Sequence, residues 1–129
     1  MKILAEISVG ELYDKITILN IKLKKINDPN KLKNIKIELD ALLEQSNKLI
    51  LKDDEILRKN IQKLQDINEE LWDIENAKRE CEANKEFGEI FIKISRDVHF
   101  KNDIRASIKK EINLLSNSKI TEEKEYSKY

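Results

Sequence analysis

The stretch VGELYDKITILNIKLKKI, residues 9–26, decides the fold of this chain. Its apolar residues recur every third or fourth position, which places them on one stripe of an α-helix: Val9, Leu12, Ile16, Leu19, Leu23 and Ile26. Ser8 precedes the stretch, and Glu11 follows Ser8 at the spacing of a capping box. The sequence therefore predicts a helix from about residue 9 that packs along its whole length.

The rest of the chain continues in the same way, because its 129 residues include only two glycines, Gly10 and Gly88, and one proline, Pro29. Glycine and proline are the residues that most disfavour helix interiors, so long helices are expected. Asp28 and Pro29 suit the cap and the first position of a second helix. We expect this helix to run to about residue 51.

Two further interruptions divide the second half of the chain. Residues 52–54 favour a break before a third helix at Glu55, although one continuous helix also fits the pattern. Residues 84–88 form the turn into a last helix, which ends at residues 116–118. The apolar positions expected on the third helix are Leu57, Leu64, Ile67, Leu71, Ile74 and Cys81, and on the last helix Ile90, Phe91, Ile94, Val98, Ile104, Ile108, Ile112 and Leu115.

The predicted fold class is all-α: an antiparallel bundle of three to four long helices with coiled-coil-like packing. The bundle domain covers residues 1–116, and residues 117–129 form a charged C-terminal tail that either trails or docks. Because the loops are short, successive helices are expected to be neighbours.

The charge balance limits the classes of partner. Lys plus Arg and Asp plus Glu each number 25, so no net field favours nucleic acid. No apolar run reaches the roughly 18 residues of a membrane span. The single cysteine, Cys81, lies on a core stripe and cannot form an internal disulfide, which predicts a cytoplasmic protein.

Polar residues interrupt the apolar pattern of the last helix between Val98 and Ile108, where Asn102, Asp103 and Arg105 surround Ile104. A buried charge needs a partner or a ligand, and Arg suits bidentate contacts with carboxylate or phosphate. One interpretation is a polar cleft between the first, third and last helices, with Arg79, Arg96 and Arg105 facing an anionic group. The other is an internal salt-bridge network that fixes helix register, formed by Asp14, Glu75, Arg79, Asp103 and Arg105.

Catalytic signatures are weak, so the enzyme question stays open and no catalytic residue, metal site or cofactor is predicted. His99 is the only histidine, and it lacks the companions of a zinc site or a catalytic triad. The pairs Glu11-x-x-Asp14 and Glu70-x-x-Asp73 have a spacing that helical magnesium-dependent nucleotide pyrophosphohydrolases use.

The chain resembles a bacterial family of short, uncharacterised helical proteins. The resemblance lies in residues 10–22, in Leu71–Glu75 with Arg79, in several positions from Phe87 to Asn113, and in residues 122–126. The resemblance implies an accessory role in surface-polysaccharide synthesis, by association with glycosyltransferase gene neighbourhoods. It also implies that the tail docks. Relatives favour tyrosine at position 99, so His99 departs from the family pattern. The matching positions on the polar edges form the candidate ligand-binding set: Asp14, Lys15, Lys22, Glu75, Arg79, Arg96, Asn102, Asp103, Arg105 and Lys109.

Three functions remain open from the sequence. The first is a cytoplasmic helical interaction or binding protein that self-associates or binds a protein partner. The second is a binder of an anionic small molecule such as a sugar nucleotide. The third is a magnesium-dependent nucleotide pyrophosphohydrolase.

Overall fold

Helices form the whole scaffold in the computed structural model, which describes residues 1–49 and 54–129. They are α1 (Val9–Lys25), α2 (Pro29–Asn47), α3 (Glu55–Ala83) and α4 (Glu89–Leu115). The described ranges contain no strand, so the predicted all-α bundle is confirmed. None of the helices in these ranges has both the length and the apolar character needed to cross a bilayer.

The first two helices begin where the sequence predicts. The Ser8 side chain accepts a hydrogen bond from the Glu11 backbone N–H at 3.0 Å, as a capping serine should. Asp28 caps α2 by accepting from the Asn30 N–H at 2.9 Å, and Pro29 occupies the first turn, where no N–H is needed.

The second helix ends earlier than predicted, at Asn47 instead of about residue 51. The last turn tightens at this point, since the N–H groups of Lys48 and Leu49 donate three residues back, to the carbonyls of Gln45 and Ser46. Residues 50 and 51 of the predicted helix lie outside the described residues. Residues 52 and 53 of the predicted break lie outside the described residues. Asp54 caps α3 by accepting from the Ile56 N–H at 2.8 Å, so α2 and α3 are separate helices.

The bundle is centred on α1, which packs against each of the other three helices. Gly10 lies beside Asn113 and Asp14 beside Arg105, so α1 and α4 run antiparallel. The expectation that successive helices are neighbours holds for α1 with α2 and for α3 with α4. It is wrong for α2 and α3, whose described backbones do not approach closely, because α2 packs on α1 alone.

Two apolar clusters form the core, and both use α1. Between α1 and α2, the buried residues are Leu12, Ile16, Leu19, Ile35 and Leu39. Between α3 and α4 they are Leu57, Leu64, Ile67 and Ile112. Tyr13 packs against both clusters and joins them.

Two of the apolar positions predicted for α4 are exposed to solvent: Ile90 is 67% exposed and Ile104 is 47% exposed. Ile104 is exposed because its neighbour Arg105 faces α1, and consecutive helical residues point about 100° apart. Ile90 lies in the first turn of α4, where no part of α1 reaches.

This first part of α4 extends past α1 because the two helices differ in length. α4 has 27 residues and α1 has 17, so α4 is about 15 Å longer at the helical rise of 1.5 Å per residue. The contact of Gly10 with Asn113 aligns the start of α1 with the end of α4, so the excess lies at the α3–α4 turn. We call residues 76–97 the hairpin end.

The hairpin end is a two-helix structure with one seam. Cys81 is buried in this part of α3, as its predicted core position requires. Phe87 and Phe91 meet edge to face with ring centroids 5.4 Å apart. Phe87, Ile90 and Ile92 are nevertheless at least half exposed, because a hairpin of two helices cannot cover all of its apolar side chains.

Candidate functional site

A buried carboxylate, that of Asp14 on α1, joins three helices. Asp14 is 1% exposed and accepts from Nε of Arg105 at 2.9 Å, while Nη2 of Arg105 donates to its second oxygen. Asn68 of α3 donates to Asp14 Oδ1 at 3.0 Å and to the Thr17 hydroxyl at 2.9 Å. Thr17 in turn donates to the Asp14 carbonyl. Sequence reasoning selected Asp14 and Arg105 but missed Asn68 and Thr17.

The surroundings of Asp14 keep it ionised. Burial by itself raises the pKa of Asp14, but hydrogen bonds from Arg105 and Asn68, with the charges of Arg105 and Lys109, outweigh burial and lower it. The hydrogen bond to Asp14 likewise raises the pKa of Arg105. The two side chains therefore form a charged pair at neutral pH, with the geometry of a bidentate Arg–carboxylate contact.

Lys109 extends this pair into a larger group of charges. Its Nζ lies 2.6 Å from Glu11 Oε2, 3.7 Å from Asp14 Oδ2 and 3.3 Å from Glu122 Oε2. Lys15 lies 3.5 Å from the other oxygen of Glu11. We call the helix-borne members the ion cluster: Glu11, Asp14, Lys15, Arg105 and Lys109.

The pKa values of Glu11 and Lys109, like those of Asp14 and Arg105, shift toward the charged forms. Burial lowers the pKa of Lys109, but the hydrogen bond to Glu11 and the charges of Asp14, Glu11 and Glu122 outweigh it and raise the pKa. Burial raises the pKa of Glu11, and here too hydrogen bonding and the charge of Lys109 reverse the direction. These four groups therefore stabilise one another in their ionised states.

The ion cluster depends on a close approach of α1 to α4 at Gly10. A Cβ atom on Gly10 would lie 2.5 Å from the Lys109 carbonyl oxygen and 2.9 Å from Asn113 Oδ1. The Gly10 N–H donates to the same Asn113 oxygen at 2.6 Å. Glycine is required here because a side chain would push the two helices apart.

The C-terminal tail, residues 117–129, returns along α4. Ser118 accepts from the Val9 N–H at 3.1 Å and so ties the tail to the start of α1. Beyond Glu122, Glu123 lies 3.8 Å from Lys110. At the end of the tail, the Tyr129 hydroxyl donates to the Asp103 carboxylate, and its ring packs edge-on against His99 and Phe100.

An open groove of about 1390 Å³ lies between this tail and α4, and we call it the tail groove. Four members of the candidate ligand-binding set line it: Asn102, Asp103, Arg105 and Lys109. Lys110 and the tail residues Glu122 and Tyr129 also contribute. The groove therefore lies directly beside the ion cluster.

A second, smaller cleft of about 250 Å³ lies between α1, α3 and α4, and we call it the Trp72 cleft. Its walls are apolar and comprise Ile18, Ile21, Leu71, Trp72 and Val98. Its polar lining comprises Asn68, Glu75, Asn102 and Arg105. Its place matches the predicted cleft between the first, third and last helices, but the cleft is mainly apolar. Of the three arginines expected there, only Arg105 lines it.

The remaining candidate residues lie apart from the ion cluster. Glu75 and Arg79 form an exposed pair of their own on α3, at 3.1 Å. Arg96 lies over the Phe100 ring, 5.9 Å from its centroid, and Lys22 belongs to the last turn of α1. The predicted internal network is therefore correct for Asp14 and Arg105, while Glu75, Arg79 and Asp103 pair elsewhere.

The carboxylate pairs suggested for magnesium have cationic partners. Asp14 and Glu11 bind Arg105 and Lys109, and Glu70 lies 2.8 Å from Lys101. Within the described residues, no group of three or more His, Cys, Asp or Glu side chains is placed to hold a metal ion.

The fold and the site define a class of protein: an all-helical domain in which three helices meet at a buried ion cluster, with a tail groove beside it. The chain belongs to a family of unknown function, DUF6165, which it matches over residues 1–129. No curated protein and no solved structure matches it. The predicted membership of an uncharacterised helical domain family is thus confirmed.

Proposed function

We propose that this chain is a binding protein without catalytic chemistry, and that it holds an anionic small molecule at the ion cluster beside the tail groove. The supporting observation is the charge count of the cluster. The helices supply three cations, Lys15, Arg105 and Lys109, but only two carboxylates, Glu11 and Asp14. The third carboxylate, Glu122, comes from the tail. An incoming anion therefore has a defined position, that of Glu122 on Lys109.

Glu122 is the member of this arrangement that a ligand can displace most easily. Its side chain is 54% exposed, and exposed ion pairs contribute only about 0–1 kcal/mol. Asp14 is buried, and removing one partner of a buried pair costs about 3–5 kcal/mol. A phosphate or carboxylate thus takes the place of Glu122 and leaves the pair of Asp14 with Arg105 intact.

The dimensions of the tail groove suit a ligand larger than a single ion. Pockets for drug-sized ligands usually measure roughly 300–1,000 Å³, and this open groove exceeds that range. A sugar nucleotide is a ligand of this size, and its phosphates would match the charges of Lys109 and Lys110. It also agrees with the resemblance to proteins linked with surface polysaccharides. We therefore extend the proposal to an accessory role in that pathway, in the bacterial cytoplasm.

Calorimetric titration with inorganic pyrophosphate tests this function. Lys109→Gln should reduce the affinity at least tenfold, while Glu122→Gln should increase it by removing the internal competitor. Glu125→Gln, on the same tail, is the matched control and should leave the affinity unchanged. Absence of pyrophosphate binding by the unmodified protein, or equal affinities in all three variants, would contradict the proposal. Circular dichroism checks whether Lys109→Gln folds. The result for Glu122→Gln does not depend on that variant.

The exposed apolar side chains of the hairpin end favour a second function, binding of a protein partner or of a second copy of the chain. Phe87, Ile90 and Ile92 are each at least half exposed, and all three belong to the hairpin end, which α1 and α2 do not cover. Light scattering should then give a mass above that of the monomer, which Phe87→Ser reduces. Ile37→Ser on α2, at a similarly exposed isoleucine, is the control. A strictly monomeric wild type would rule out self-association.

A further inference from the structure

We propose that the Trp72 cleft is a second subsite, which binds an apolar group of the ligand, so that the protein recognises an amphipathic anion. The inference rests on the proposed function, because it places the acid group of the ligand at Arg105 and Lys109. It adds a second requirement to that of negative charge: the ligand must carry an apolar group that fits the Trp72 cleft.

The size and lining of the cleft support an apolar occupant. An engineered protein cavity of about 150 Å³ already binds benzene, and the Trp72 cleft measures about 250 Å³. Side chains of three helices form its walls, and Trp72 contributes an aromatic side chain, which pairs favourably with a ring. A ring in the cleft would restore dispersion contacts that these side chains otherwise lack.

Two residues connect the cleft to the anion position. Asn102 and Arg105 line both the Trp72 cleft and the tail groove, so the two spaces meet at these side chains. Asp14 engages two of the five N–H donors of Arg105, which leaves donors of the same guanidinium for an acid group. Lys109 follows one helical turn later, about 6 Å along α4. A small ligand can therefore place a ring in the cleft and a phosphate beside both cations.

The test compares phenyl phosphate with methyl phosphate, which has the same headgroup without the ring. We expect phenyl phosphate to bind at least about tenfold more tightly, because the cleft buries its ring. Trp72 is the only tryptophan of the chain, so its fluorescence reports on the cleft directly. Phenyl phosphate should change the Trp72 emission, and methyl phosphate should bind without changing it.

A substitution that fills the cleft provides the second arm. Val98→Phe should lower the affinity for phenyl phosphate to that for methyl phosphate, whose own affinity stays unchanged. Leu114→Phe, at an exposed position of the same helix, is the matched control and should alter neither affinity. If Val98→Phe does not fold, the Trp72 emission of the unmodified protein decides the question.

The outcomes separate the subsite from the anion site. Equal affinities for the two phosphates, or a Trp72 emission that phenyl phosphate leaves unchanged, would overturn the subsite and leave the anion site standing. If neither phosphate binds, the anion site and the inference that rests on it both fail.

Discussion

At the scale of single residues, Asp14 and Arg105 determine how the helices align. Their pair is buried on the carboxylate side and bidentate, so each side chain needs the other. Such a pair can specify register without adding net stability, because desolvation offsets much of the attraction.

We therefore expect Arg105→Met to destabilise the fold by about 3 kcal/mol, because it leaves the buried Asp14 carboxylate without its main partner. The double variant Asp14→Leu with Arg105→Met should recover much of that loss, since no unpaired charge remains. Urea unfolding of the two single variants and the double variant measures the coupling. Arg79→Met, in an exposed pair, is the control, and additive effects of Asp14→Leu and Arg105→Met would show that the pair is not coupled.

Gly10 sets the distance between α1 and α4. Gly10→Ala should cost about 1–3 kcal/mol, the usual penalty of overpacking, because the new Cβ meets backbone atoms of Lys109. Gly88→Ala is the control, since a Cβ there has no neighbour within 4 Å. Thermal unfolding compares the two, and an equal loss in both would contradict the steric explanation.

The sequence shows some of these residues and not others, for a physical reason. Arg105 lies where the apolar pattern of α4 is interrupted, and Asp14 lies on the polar edge beside the apolar stripe of α1. A charge on an inward face needs a partner wherever it is found. Asn68, Asn113 and Tyr129 give no such signal, because small polar side chains and a terminal tyrosine are common on solvated surfaces. Their roles depend on how closely the helices approach and on the path of the tail, which periodicity does not encode.

At the scale of elements, α2 differs from the other helices because it packs on α1 alone. Its start could be predicted from Asp28 and Pro29, since capping is a local interaction. Its end and its isolation from α3 could not, because both depend on tertiary packing.

We expect the backbone amides of α2 to exchange with deuterium faster than those of α1 and α3, since α2 opens by losing contacts to one helix only. Hydrogen exchange with mass spectrometry measures this. Ile35→Ala should speed exchange mainly in α2, whereas Leu64→Ala should affect α1, α3 and α4 together. Equal protection of all four helices would contradict this order of stability.

At the scale of the whole molecule, the ion cluster links stability to pH. The pKa values of Asp14 and Glu11 are lower in the folded protein, so these groups contribute stability above the ordinary carboxyl pKa. That contribution is lost as the pH falls through the folded pKa values. Lys109, whose pKa is raised, contributes stability up to its ordinary pKa and loses it at more alkaline pH.

Stability should therefore be greatest near neutral pH and fall below about pH 4, where carboxyl groups become protonated. Asp14→Asn should lower the plateau and flatten the acid side of the curve, because the titrating group is gone. Urea midpoints measured across the pH range test this, with Glu75→Gln as an exposed control. Curves of identical shape for Asp14→Asn and the unmodified protein would contradict the assignment.

Because α4 is longer than α1, the reactivity of Cys81 reports on the opening of the hairpin end. Cys81, the single cysteine of the chain, is buried in the hairpin end, which α3 and α4 alone form. The rate at which Cys81 is alkylated therefore measures how often α3 and α4 separate locally at the hairpin end. The three-helix region around Asp14 can stay closed during such an opening. A partner bound at Phe87 should lower the alkylation rate of Cys81, and a ligand at the ion cluster should leave that rate unchanged.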